Sequence, residues 1–190
     1  MIKFAIAGNI ASGKSTVEEI LIKHNFPVLD TDKVCHRLLA ELEEIKIEFG
    51  NYDIFTPQNE ISREKLGKVV FTNQELKIKL ENILYPNVRI EIEKFFEENK
   101  NKSCAFVAIP LLFEAKMEDL FDKIIFVYCD DEIRLTRLIE RNSYDREYAQ
   151  KRLDSQMSQE IKLSKSDYII NNNSDKNTLE KEVEELIKNF

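Results

Sequence analysis

Five short apolar runs separated by helical patterns predict an α/β protein, a five-stranded parallel sheet with helices on both faces. Two further observations support that class. Ile2 to Ala7 leads directly into a glycine-bearing turn, Gly8 to Thr16, that opens an amphipathic helix. From Val34 to Phe96 the Val/Ile-rich runs vanish and apolar spacing becomes helical, which predicts a helical insert between the second and third strands.

Ile2 to Ala7 is apolar but for Lys3, as the centre of a parallel sheet requires. Val17, Ile20, Leu21 and His24 share one face of the next helix, and Pro27 marks its exit. His24 suits the negative end of a helix dipole better than catalysis. Val28-Leu29 is a short second strand running into Asp30-Thr31-Asp32. Ligands of open α/β sheets collect at the carboxyl ends of strands, so these acids are candidates for chemistry. On an extended chain Asp30 and Asp32 point the same way, although Asp32 is also placed to cap a helix starting near Lys33.

Within the insert, Leu38, Leu39 and Leu42 continue one helix, and Ile45, Ile47 and Phe49 precede a turn-rich patch at Gly50 to Asn59. Arg63, Leu66, Val69 and Val70 fit a second helix. Leu76, Leu80, Ile83 and Leu84 fit a third, stopped by Tyr85-Pro86, and Ile90 to Phe96 a fourth. Cys104 to Ile109 is the third strand, leading into Pro110-Leu-Leu-Phe-Glu114, and Ile124 to Tyr128 is the fourth. Asp131 to Ser155 reads as a helical pair in which Arg134, Arg137, Arg141, Arg146, Lys151 and Arg152 meet as many acids. Solvated i,i+4 pairing accounts for most of these, leaving one or two arginines to clamp a phosphoryl group. Tyr168 to Ile170 is the fifth strand, and Leu179, Val183, Leu186 and Ile187 form a closing amphipathic helix. The expected organisation is one domain over 1–190, with a helical subdomain at about 32–98 and a lid at about 131–156.

Gly8, Gly13, Lys14 and Ser15 complete the glycine-x4-glycine-lysine-serine pattern between a strand and a helix. By accident a chain of this length meets that pattern roughly once in a hundred, so its setting identifies a nucleotide site. Backbone N–H groups of Ala11, Ser12, Gly13 and Thr16 can turn around phosphate oxygens, and the helix N-terminus adds positive charge. Lys14 is expected to reach the β- and γ-phosphates of ATP, and the Ser15 hydroxyl to ligate Mg2+.

Composition narrows the partners. With 43% hydrophobic and 33% charged residues the chain reads as an ordinary soluble protein. No apolar run approaches the roughly 20 residues of a membrane span and no signal-peptide layout is present, so a cytoplasmic protein with no membrane partner is expected. A net charge of -7 argues against a nucleic-acid-binding face. Cys35, Cys104 and Cys129 are odd in number and scattered, which favours reduced thiols over bridges or a metal site. No obligate protein partner is evident. Guanine-reading motifs are absent, since Asn101-Lys102 is followed by Ser103-Cys104. A short chain with a phosphate loop, a helical insert and an arginine-bearing helical pair suits a small-molecule kinase whose closure excludes water. A nucleoside or nucleotide kinase of the same architecture and a nucleotide-binding regulator are the rival readings.

The stretches AGNIASGKSTV, VLDTDKVCHRLL, ISREKLGKVVF, LENILYPNV, VAIPLLFE, RLIERN and QKRLDSQMSQEIKLSKSDYIINN resemble the dephospho-coenzyme A kinase family in order and spacing, over nearly the whole chain. The resemblance implies transfer of the ATP γ-phosphoryl group to the ribose 3′-hydroxyl of dephospho-CoA. It implies Asp32 as the acid that accepts or orients the acceptor proton, beside Lys14. It further implies Arg141 and Arg152 on the nucleotide, with Gln156 a weaker candidate, and Arg63, Tyr85, Pro86 and Leu111 on the acceptor side. Three features depart from the family pattern. Tyr85-Pro86 stands where the family has His-Pro, Arg141-Asn142 where it has Arg-Asp, and Leu42 to Asn59 is shorter than usual. Strand three carries no acid to ligate a metal, so Mg2+ is expected to rely on Ser15, phosphates and water, with Asp30, Asp32 or Glu114 able to act through water.

Overall fold

The computed structural model describes residues 1–188 and 190. Its elements are β1 (Ile2–Gly8), α1 (Lys14–Lys23), β2 (Val28–Asp30), α2 (Thr31–Glu41), α3 (Glu43–Phe49), α4 (Arg63–Phe71) and α5 (Gln74–Glu98). They continue with β3 (Cys104–Ala108), β4 (Lys123–Tyr128), α6 (Asp131–Asn142), α7 (Arg146–Asp154), α8 (Gln159–Ser164), β5 (Tyr168–Asn171) and α9 (Lys176–Ile187). A single turn of 3-10 helix, Glu118–Leu120, precedes β4.

The five strands form one parallel sheet in the order β2-β3-β1-β4-β5, as the sequence predicts. The most apolar run takes the centre: β1 pairs with β3 from Ile2↔Cys104 and with β4 up to Gly8↔Val127. Alternate residues point to opposite faces of a strand. Phe4, Ile6, Phe106, Ile125 and Val127 on one face pack with Val17, Ile20 and Leu21 of α1 and Leu179 and Val183 of α9. Phe4 and Phe106 stack with ring centroids 4.9 Å apart. The intervening residues Ala5, Ala7, Ala105, Val107, Ile124 and Phe126 are buried as well, so both faces are covered. Cys104 and Cys129 are buried thiols and Cys35 is half-buried, all unbridged. Burial pushes the Cys104 and Cys129 thiols up, so both stay protonated and inert.

The chain divides into two compact units, residues 1–30 with 95–190, and residues 31–94. In the second unit Ile45, Phe49, Ile54, Leu66 and Val88 are buried. Ser62 caps α4 by accepting from the Lys65 N–H. Lys65 also reaches back to Asp53 at 2.7 Å and the Phe55 carbonyl at 2.9 Å, pinning the turn-rich stretch.

Two expectations need correcting, and a third is refined. Tyr85-Pro86 does not stop a helix: α5 runs through Pro86 as one helix of 25 residues. A proline denies one hydrogen bond to the carbonyl four residues earlier, and Asn87 Nδ2 donates to the Ile83 carbonyl at 2.8 Å beside that gap. Leu84, Val88 and Ile92 are buried and hold the two halves in line. Asp32 is not on an extended chain with Asp30, nor is it a cap: β2 ends at Asp30 and α2 starts at Thr31, leaving Asp32 exposed in the first helical turn. Lastly, the arginines of α6 are not all solvated. Arg134 is 3% exposed and pairs with Asp131 at 2.6 Å, whereas Lys151 to Glu147 is an exposed i,i+4 pair as expected and Arg146 to Glu132 an exposed pair between α7 and α6. His24 terminates α1 as anticipated, with Glu184 3.3 Å away.

Candidate active site

The loop Asn9 to Gly13 lies at the carboxyl edge of the sheet, after the central strand and between neighbours that connect in opposite directions. Its shape is set by two glycines. Gly13, the N-cap of α1, has φ +93°, and a Cβ there would lie 2.0 Å from Asn172 Nδ2. That amide donates to the Ser12 carbonyl at 2.7 Å and ties the end of β5 to the loop. A Cβ on Gly8 would lie 2.5 Å from Ser12 Oγ. Gly13→Ala therefore meets both a left-handed backbone, costing about 1–2 kcal/mol, and a displaced Asn172. We expect the thermal midpoint of that variant to fall by about 5–10 °C and ATP-induced stabilisation to disappear, both readable by calorimetry.

The N–H groups of Gly13, Lys14 and Ser15 open α1, where no intrahelical acceptor exists, and they converge with the positive end of the helix. An ammonium at that end is disfavoured unless countered. The Lys14 Nζ meets Glu18 Oε1 at 2.7 Å, with side chains 12% and 10% exposed. Glu18 is one turn along α1 and absent from the sequence reading; its i,i+4 spacing from Lys14 was the signal that could have found it. Ser15 is exposed at the head of the helix, its hydroxyl open to a hard cation.

Beside the loop is a cavity of about 190 Å3 lined by Gly13, Thr16, Arg137, Asn172, Ser174, Lys176 and Leu179. Leu179 supplies an apolar wall and Arg137 a planar cation that can stack on an aromatic base. Arg137 Nη1 is 3.3 Å from Cys129 Sγ, which fixes the guanidinium at the cavity wall. The family resemblance singles out Arg141 and Arg152 instead. Arg141 is exposed one turn further along α6, with its Nε donating to Asn142 Oδ1 at 2.9 Å, and Arg152 is half-buried in the last turn of α7. Neither lines this cavity.

Glu114, a possible water-mediated metal ligand from sequence, is engaged through one carboxylate oxygen. Its Oε1 lies 2.8 Å from Lys162 Nζ, which is fully buried, and accepts from the Met157 N–H at 3.2 Å. Leu111, after β3, is 42% exposed. In the second unit, Arg63 begins α4 and is exposed, while Tyr85 and Pro86 lie mid-way along α5, half-buried and exposed respectively. No cluster of three or more His, Cys, Asp or Glu is placed to hold a metal among the described residues.

A glycine-cornered cradle of amides after the central strand, with the Lys14 ammonium in the same loop, is the arrangement of kinases of the phosphate-loop class. The dephospho-CoA kinase family profile matches residues 2–178. A dephospho-CoA kinase from Fusobacterium nucleatum is 40% identical over 182 residues, covering 94% of this chain and 93% of that protein. The crystal structure of a dephospho-CoA kinase from Campylobacter jejuni superposes with a TM-score of 0.73 at 36% identity, covering 98% and 95% of the two chains. That of TT1252 from Thermus thermophilus gives 0.83 at 30% identity, over 100% and 97%. The chain belongs to the dephospho-CoA kinase family.

Proposed function

We infer that this protein transfers the γ-phosphoryl group of ATP to the ribose 3′-hydroxyl of dephospho-CoA, the step that completes coenzyme A. The observation that carries the reading is the preformed loop of Gly8 to Thr16 at the carboxyl end of β1, in a chain of this family. Amides of Ala11, Gly13, Lys14 and Ser15, with the Lys14 ammonium, hold the phosphates, while the Ser12 and Thr16 N–H groups close the loop onto the Asn9 and Gly13 carbonyls; Arg137 with Leu179 takes the adenine. Arg141 and Arg152, on the proposed lid of residues 131–156, add positive charge to the transferring group as the helices close. Ser15 is the protein ligand for Mg2+, which when bound neutralises β- and γ-phosphate charge. Asp32 accepts or orients the proton of the acceptor hydroxyl. Arg63, Tyr85, Pro86 and Leu111 serve the acceptor, with the helical subdomain providing its site. Phosphoryl transfer is loose, so alignment and charge neutralisation dominate and proton removal is the smaller contribution.

No helix among the described residues is long and apolar enough to cross a membrane. We place the protein in the cytoplasm, acting without nucleic acid, membrane or an obligate protein partner. Purified protein with MgATP and dephospho-CoA should yield ADP and a product heavier by one phosphate. Nucleosides and nucleoside monophosphates offered in parallel should give none. ATP binding with no transfer to any of these acceptors would instead indicate a nucleotide-dependent regulator.

A further inference from the structure

The first half of the loop is gripped by side chains distant in sequence. Both backbone polar groups of Ile10 are engaged. Its N–H donates to Gln156 Oε1 at 2.7 Å, and its carbonyl accepts a longer contact, 3.4 Å, from Arg134 Nη1. Asn9 Nδ2 donates to the Met157 carbonyl at 3.0 Å. The side chains of Ile10 and Ala11 pack against a small buried cluster of Leu135, Leu138, Ala149 and Leu153 from α6 and α7. Ala11 has φ +62°, an uncommon conformation for a residue with a Cβ, and it persists where surroundings over-determine it. Beneath this arrangement the Met157 N–H is fixed by Glu114, which the buried Lys162 holds in turn.

We propose that Gln156 is a positioning residue for ATP binding: by capping the Ile10 amide from the end of α7 it fixes the shape of the phosphate loop and makes loop and helical pair one mechanical unit. Its carboxamide touches the loop backbone, so it acts on nucleotide through the loop. The side chain of Gln156 is half-buried, and its acceptor oxygen is taken by Ile10. The sequence resemblance offered this residue a direct nucleotide contact; its bond to Ile10 gives it a different role.

This inference rests on the loop binding ATP, and the test separates the two. Gln156→Met keeps length and loses the acceptor; Gln156→Glu keeps an acceptor. We expect Gln156→Met to weaken MgATP binding about fivefold and to lower the nucleotide-free thermal midpoint by only about 2–4 °C, the range of one hydrogen bond, while KM for dephospho-CoA stays unchanged. Hydrogen exchange at the Ile10 amide should accelerate in Gln156→Met and return to the wild-type rate in Gln156→Glu. Failure of the wild-type protein to bind MgATP would remove the underlying reading. With wild-type binding intact, the positioning role is overturned by any of three results: unchanged affinity in Gln156→Met, a protected Ile10 amide in that variant, or equal weakening of both substrates with a larger fall in the midpoint.

Discussion

Lys14→Met should lower kcat by about a thousandfold or more, because the ammonium contributes most when charge spreads over the transferring phosphoryl oxygens. The structure adds a complication that sequence alone hides. Lys14 is also the counter-ion of the nearly buried Glu18, 2.7 Å away, so the substitution takes the ammonium from a carboxylate with little access to water. Breaking such a pair from one side costs up to about 3–5 kcal/mol, and part of any lost activity would be lost folding. Lys14→Met/Glu18→Gln separates the two. The double variant should regain most of the thermal midpoint lost by the single one, yet remain as poor a catalyst. Recovery of turnover together with stability would mean that Lys14 serves the fold, and that the phosphates are held by amides alone.

The second large effect is expected at Asp32. Asp32→Asn keeps size and hydrogen-bonding capacity but cannot take a proton at neutral pH, and kcat should drop by about a hundredfold to ten-thousandfold. KM for ATP should hardly move, since the phosphate-loop residues are untouched. Because Asp32 lies in the first turn of α2, the same change removes a favourable charge from the positive end of that helix, worth about 0.3–1 kcal/mol. The midpoint should therefore fall only slightly. Near-normal turnover with dephospho-CoA would reduce Asp32 to that helix-end contribution.

How much of this was legible beforehand depended on whether the signal was local. The strand, turn and helix around Gly8 to Thr16 could be read because apolar run, glycine spacing and amphipathic period occur in succession. Helix α5 was misread at Pro86 because a local rule, that proline ends helices, gave way to packing of Leu84, Val88 and Ile92 along its length. Helix α8 shows no apolar stripe because its buried positions are Gln159 and Lys162, and the distant Glu114 makes Lys162 tolerable there. The cavity beside the loop is hidden in the sequence for the same reason: Arg137 on α6 and Asn172 beyond β5 come together around it with Gly13 only after the sheet has formed. Charge counting along α6 gave every arginine equal weight, whereas Arg134 and Arg137 are distinguished only by what they touch.

The central place of β1 has a consequence for how the molecule comes into being. Its partners in the sheet emerge from the ribosome roughly a hundred residues later, at Cys104 to Ala108 and Lys123 to Tyr128, so the nascent N-terminus must wait for them. At ordinary synthesis speeds that is a delay of about 5–20 s, during which Phe4, Ala5 and Ile6 have no sheet to join and are candidates for chaperone capture. A chain truncated before Lys123 would carry every letter of the glycine-lysine motif and still be unable to build the nucleotide cradle.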